Sequence, residues 1–209
     1  MTSPSEVSPN AAKATLDLAG WVRPLEGWLD HAQSPHFNDR PDKITPSLLV
    51  VHGISLPSGV FGGSQVDDLF MGRLLGRPEP EFADLSGLRV SAHFVIWRSG
   101  RVRQYVGVHH RAWHAGVSHF RGRDNCNDFS IGVELEGTDE LPYETCQLDS
   151  LVRLMGVLRA GLPGLTWVAG HSHIAPGRKT DPGPNFPWRD LQAALPQDPI
   201  AWQFASDFS

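Results

Sequence analysis

Between Gly170 and Gly183 the chain runs Gly-His-Ser-His-Ile-Ala-Pro-Gly-Arg-Lys-Thr-Asp-Pro-Gly, ionisable side chains set among residues that break helices and strands. A shaped loop is expected. Pro182 biases Asp181 towards extended backbone, where residues two apart project the same way, so Lys179 and Asp181 share one wall. His171 ends the apolar run Leu165 to Gly170, and a second apolar run, Leu48 to Val51, also ends in a histidine beside a glycine, His52-Gly53. Sites in open α/β sheets gather at the carboxyl ends of strands, so His52 and His171 converge if those strands lie side by side. With Asp181 they make two imidazoles and a carboxylate, a set that holds zinc and leaves a fourth position for water. The competing expectation is that each histidine is an ordinary hydrogen-bonded strand end, and spacing alone does not bring the three together.

Phe129 to Gly137 alternates, with Phe129, Ile131, Val133 and Leu135 towards a core and Ser130, Gly132, Glu134 and Glu136 on the other face. Glu134 sits beside Gly132, whose missing side chain leaves room for substrate or water, and so suits general acid or base work. The plainer alternative is a solvated glutamate of the sheet face, a role expected of Glu136 unless it makes a structural hydrogen bond. Lys179 suits the stabilisation of an oxyanion, against the commoner fate of a surface lysine. Trp113 and His114, framed by Ala112, Ala115 and Gly116, fit an amphipathic ligand, or else Trp113 caps the core. His93 is expected as a satisfied core histidine, and His109, His110, His119 and His173 as exposed.

The elements that must position these groups follow from periodicity. Leu48–Val51 and Leu165–Gly170 are expected as buried strands, Arg89–Val106 as a hairpin turning at Ser99-Gly100, and Ser64–Leu75, Glu144–Leu162 and Pro187–Leu195 as helices. A short amphipathic helix is expected over Trp21–Leu29. The fold class is α/β, a mixed central sheet flanked by helices with the zinc site at one edge of the sheet. One domain, residues 21–196, is expected between a flexible leader (1–20) and a C-terminal tail (197–209). The chain has 209 residues, 40% of them hydrophobic, and a net charge of -5, which argues against a nucleic-acid partner. No apolar run is long enough to span a bilayer, and Met1 to Ala14 lacks an apolar signal-peptide core, so a cytoplasmic protein without a membrane partner is expected. Two cysteines, Cys126 and Cys146, make no disulfide framework and no Cys-x-x-Cys site, which leaves metal binding to histidine and carboxylate.

Five segments together, Ser47–His52, Leu88–His93, Arg111–Ser118, Cys126–Asp139 and Gly170–Pro184, closely resemble the zinc N-acetylmuramoyl-L-alanine amidase family, which includes phage amidases and peptidoglycan recognition proteins. The likeness covers about residues 25 to 195 and is strongest to members acting on 1,6-anhydro-muramyl peptides. It implies one zinc on His52, His171 and Asp181, catalytic Glu134 and Lys179, and substrate contacts from Arg89, Trp113, His114 and Ala115. The implied reaction is hydrolysis of the amide between (1,6-anhydro-)N-acetylmuramic acid and L-alanine of the stem peptide, in cytoplasmic peptidoglycan recycling by a monomer. Two positions depart from the pattern: Gly53 stands where asparagine is usual, and Asn125 where arginine is. A non-catalytic muropeptide sensor on the same fold, or an amidase acting on intact wall, are the alternatives.

Overall fold

The computed structural model describes residues 14–41, 44–74, 82, 85, 87–195 and 202–205. In chain order the elements are β1 (Leu29–His31), β2 (Phe37–Asp39), β3 (Leu48–Ile54), α1 (Gln65–Phe70), β4 (Phe94–Ile96), β5 (Val102–Gln104), β6 (His110–Ala112), β7 (His119–Phe120) and β8 (Arg123–Asp124). There follow β9 (Ser130–Glu136), α2 (Thr145–Gly161), β10 (Trp167–Gly170), α3 (His171–Ile174), α4 (Trp188–Ala194) and β11 (Gln203–Phe204). Seven strands form one sheet in the order β1-β5-β4-β9-β3-β10-β11, parallel at every step except β4 against β5. The α/β class, with a mixed sheet and flanking helices, is as expected.

The apolar run Leu48–Val51 is buried on both faces because it is the middle of this sheet. Its odd residues, Leu49 and Val51, join Ile131, Val133 and Leu135 of β9 in a core closed by Leu151, Leu154, Met155 and Leu158 of α2 and Leu191 of α4. Its even residues, Leu48 and Val50, face the other way, into a smaller core with Ala115, Phe129 and Ile174. A third cluster packs Val66, Leu69 and Phe70 of α1 on Val95 and Tyr105. By the period of two, His52, Ser130, Gly132, Glu134 and Glu136 therefore share the face away from α2.

Several local expectations change. Trp21–Leu29 is not a helix: Pro24 disfavours helical backbone before it, Gly27 has φ +75°, and Leu29 begins a strand. Trp28 nonetheless reaches the body, with its indole N–H donated to Ser150 Oγ at 3.3 Å. The shaped loop after β10 opens with one helical turn, α3, because His173 Nδ1 accepts the Gly170 N–H at 2.9 Å. That makes His173 a half-buried structural residue rather than an exposed one. Phe129 precedes β9 and packs in the smaller core instead of beside Ile131. At the ends, residues 1–13 of the expected leader lie outside the described residues, while Leu16 bridges to Val22 on the body. In the expected tail, Gln203 and Phe204 add a strand beside β10. No helix among the described residues is long and apolar enough to cross a membrane.

Candidate metal centre and catalytic cleft

Strand register brings the key groups together. β3 pairs with β9 so that His52 lies opposite Glu134, and with β10 so that Val51 lies opposite Gly170. His171 is the next residue, level with His52. Neighbouring strands about 4.8 Å apart thus carry His171, His52 and Glu134 at one level of the sheet. The edge at which the site sits is the carboxyl end of central strands, not a lateral edge strand. Asp181 returns to this level because its carbonyl accepts the Ser172 N–H at 2.9 Å, and the next carbonyl, of Pro182, accepts the Tyr143 hydroxyl at 2.9 Å.

His52 Nδ1, His171 Nδ1 and Asp181 Oδ2 form a triangle with sides of 3.0, 3.1 and 3.1 Å. Ligands held tetrahedrally by a zinc ion at about 2.0–2.1 Å stand about 3.3 Å apart, so the triangle is close to the size the ion needs. Among the described residues this is the one group of three such side chains able to hold a metal ion. Both histidines are buried. The Ala115 carbonyl can only accept, so His171 Nε2, 3.1 Å away, carries the proton and leaves a lone pair on Nδ1. Ligation by His52 Nδ1 likewise puts its proton on Nε2, 2.9 Å from His114 Nδ1, and His114 Nε2–H then faces Ser130 Oγ at 3.2 Å. Each ligand thus has its outer nitrogen occupied, as metal-bound imidazoles do.

Burial lowers the His52 pKa to about 4, with His171 and Lys179 pulling the same way and the hydrogen bond to Asp181 opposing. Burial alone would raise the Asp181 carboxyl, but hydrogen bonds from His171 and His52 outweigh it and hold it well below the usual carboxylate range. A neutral imidazole beside an ionised carboxylate is the protonation state that binds a cation.

A cavity of about 240 Å³ opens on these groups, with Glu134, Lys179 and Trp113 also on its walls and Ile54, Leu69 and Val90 supplying apolar surface. Glu134 is 8% exposed, and its carboxylate makes no hydrogen bond among the described residues. Burial, reinforced by the charge of Asp181 and opposed by Lys179, raises its pKa well above that of an ordinary glutamate. Glu136 is structural, accepting the N–H groups of Gly62 and Arg98 at 2.5 and 3.1 Å. A larger cavity, about 570 Å³, lies beyond Glu136 among Phe61, Trp97, Asp67 and three arginines, away from the metal-binding group of the described residues.

The remaining candidates separate. Trp113 lines the cavity, with its indole N–H on Asn38 Oδ1 at 2.6 Å and its ring stacked 6.2 Å from His36. Arg89 is exposed between Leu88 and Val90, both on the cavity wall. His114 packs edge-on against His52 with ring centres 5.0 Å apart and also lines the cavity, while Ala115 is fully buried with its carbonyl engaged by His171. Gly132 does not open space for a ligand: a Cβ there would stand 2.5 Å from His114 Cγ, so the glycine makes room for that ring. At Gly53 the corresponding volume is filled by the Tyr143 hydroxyl. Asn125 has φ 57°, a left-handed backbone that asparagine tolerates better than most residues. His93 is a satisfied core histidine, accepting the Gly132 N–H at 3.0 Å and facing the His110 carbonyl at 3.1 Å. Tyr143, Asn127 and Arg178 also support the site, through long-range hydrogen bonds that leave no periodic signature in the sequence.

Residues 43–184 match the N-acetylmuramoyl-L-alanine amidase family. The chain is 52% identical over 177 residues to the 1,6-anhydro-N-acetylmuramyl-L-alanine amidase AmpD of Escherichia coli K12, covering 83% of this chain and 97% of that one. A solved AmpD selenomethionine derivative superposes with a TM-score of 0.81 at 48% identity, over 87% of this chain and 99% of the other. A Pseudomonas aeruginosa AmpDH3 structure in complex with anhydromuramic pentapeptide is 31% identical with a TM-score of 0.55, over 71% of this chain and 59% of the other.

Proposed function

The chain belongs to the N-acetylmuramoyl-L-alanine amidase family, and from that membership we propose that it hydrolyses the amide joining the lactyl group of 1,6-anhydro-N-acetylmuramic acid to L-alanine of the stem peptide. The observation that carries this is the 3.0–3.1 Å triangle of His52, His171 and Asp181 with Glu134 at the same level of the sheet. Those three side chains would hold one zinc ion, and His52 and Asp181 are already in the binding protonation state. When bound, zinc supplies a Lewis acid that lowers the pKa of water and polarises a carbonyl.

The chain's own groups do the rest. Glu134 accepts the proton of the attacking water on a carboxylate oxygen and returns it to the departing alanine nitrogen, as the C–N bond breaks and the C–O bond forms. Burial suits that task, since a carboxyl with a raised pKa holds the proton between the two steps. Lys179 faces the same cavity and offsets negative charge on the carbonyl oxygen. Trp113 offers an indole face to the anhydro sugar, and Arg89, just outside the wall, pairs with a carboxylate of the stem peptide. The substrate implies cytoplasmic peptidoglycan recycling. Every group named comes from one chain, so a monomer suffices.

The test is a digest of purified anhydro-muramyl tripeptide and of polymeric sacculus, with and without a chelator, read by product mass. Free anhydro-muramic acid and intact tripeptide, formed only without chelator and much faster than any sacculus product, are expected. Cleavage at another bond, or equal release from sacculus, would refute the reading.

A further inference from the structure

Both histidines of the metal centre lean on one short segment. His52 has its outer nitrogen on the ring of His114, and His171 has its own on the carbonyl of Ala115, the very next residue. The two N–H groups of that pair share a single acceptor: Asn127 Oδ1 accepts the N–H of His114 at 3.1 Å and the N–H of Ala115 at 2.8 Å, while the Ala115 carbonyl also accepts from Arg178 Nη2 at 2.6 Å. Only an acceptor can face two N–H groups, so the amide orientation of Asn127 is determined by its surroundings. Asn127 is itself immobilised. It is 6% exposed, inside the one-turn 3-10 helix Cys126–Asp128. Its carbonyl accepts from Arg40 Nη1 at 3.0 Å, and Arg40 also donates to the carbonyls of Val108, Asp128 and Ser130. Ser130 carries the hydroxyl that receives the far side of the His114 ring.

We propose that Asn127 is a positioning residue of the metal centre, one side-chain oxygen that sets the orientation of both histidine ligands through their outer partners. The proposal rests on the zinc reading of His52 and His171. Removing the oxygen frees two consecutive N–H groups, that of Ala115 fully buried, so His114 and Ala115 shift together and both imidazoles lose their set direction. A partner of either ligand alone would disturb one. Asn127 therefore belongs to metal affinity rather than to substrate binding, although it touches neither the metal-binding atoms nor the cavity.

The test compares wild type, Asn127→Ala, Asn127→Asp and Leu154→Ala, with zinc affinity measured by chelator competition and the fold of each zinc-free protein followed by circular dichroism. Leu154 is a buried residue of α2, packed on the opposite face of the sheet, so its truncation controls for lost stability alone. Asn127→Ala should bind zinc roughly 10- to 100-fold more weakly, the usual cost of losing an outer-shell partner. Asn127→Asp retains an acceptor oxygen and should stay within a few-fold of wild type, and Leu154→Ala should melt earlier with zinc affinity unchanged. Should Asn127→Ala not fold, Asn127→Ser, too short to reach both N–H groups, should show the same loss. Wild-type affinity in the truncated variant, a folded Asn127→Asp as weak as the truncation, or an equal loss in Leu154→Ala would overturn the proposal. A wild type that binds no zinc refutes the metal reading instead, and the two failures are distinguishable.

Discussion

Adding one methyl group at Gly132 is a sharp probe of how the metal centre is built. Its Cβ would lie 2.5 Å from His114 Cγ and 2.7 Å from Cδ2 and Nδ1, whereas carbon atoms settle about 3.5–4.0 Å apart. The ring must retreat by about 1 Å, and it has nowhere to go. His52 and His93 stand against it with ring centres at 5.0 and 5.8 Å, and both its nitrogens are hydrogen-bonded. Over-packing of this kind costs about 1–3 kcal/mol, and loosened hydrogen bonds add about 1 kcal/mol. For a domain of this length each kcal/mol moves the melting temperature by roughly 2–4 °C. Gly132→Ala without metal should therefore melt about 10 °C lower by calorimetry, and its zinc affinity should fall by about tenfold or more as His52 loses its support. An unchanged melting temperature and zinc affinity with a raised KM would refute the reasoning and return the glycine to the role of making room for substrate.

Other perturbations should separate the roles of the remaining groups. Glu134→Gln should lower kcat by roughly 10²–10⁴ with zinc content and substrate affinity retained, measured by turnover and calorimetric titration; turnover within a few-fold of wild type would make Glu134 a bystander. Arg89→Ala should raise KM more than it lowers kcat, because a contact distant from the reacting bond serves ground and transition states alike; a pure kcat loss in steady-state assays would contradict that. Gly156→Ala lies within α2, where a Cβ meets nothing within 4 Å, so removing backbone freedom should add about 0.5–1 kcal/mol of stability in denaturant titrations. Chelation should lower the melting temperature without unfolding the chain, since ligands as distant as His52 and Asp181 must be assembled by the fold before they bind; collapse of the circular dichroism spectrum on chelation would show that the metal creates the domain.

What could be read from the sequence divides along physical lines. Two apolar runs ending in histidine, a loop carrying Lys179 and Asp181, and the alternation around Glu134 are local patterns, and the structure brings all of these groups to one cavity wall. Helices α2 and α4 and the β4–β5 hairpin were equally legible from periodicity. The failures concern space filled from afar. The sequence cannot say that the gap at Gly132 belongs to a ring eighteen residues earlier, or that Tyr143 occupies the volume beside Gly53. Trp113 and His114 both line the cavity, but no local pattern shows that the His114 ring also reaches the outer nitrogen of His52. Around Trp21–Leu29 the spacing of apolar residues suggested a helix, while pairing of Leu29 with Val102 and of the Val22 N–H with Gln104 Oε1 drew the segment into the sheet region instead.

The claim that His52, His171 and Asp181 hold the one zinc ion on which amide hydrolysis depends is tested most directly by titrating zinc into metal-free enzyme while following release of tripeptide from anhydro-muramyl tripeptide. Activity should be absent at the start, rise in proportion to added zinc and level off at one equivalent per chain, and the His171→Ala, Asp181→Ala double variant should stay inactive at every ratio. Full activity before any zinc is added, or a plateau at one equivalent in the double variant, would contradict the account.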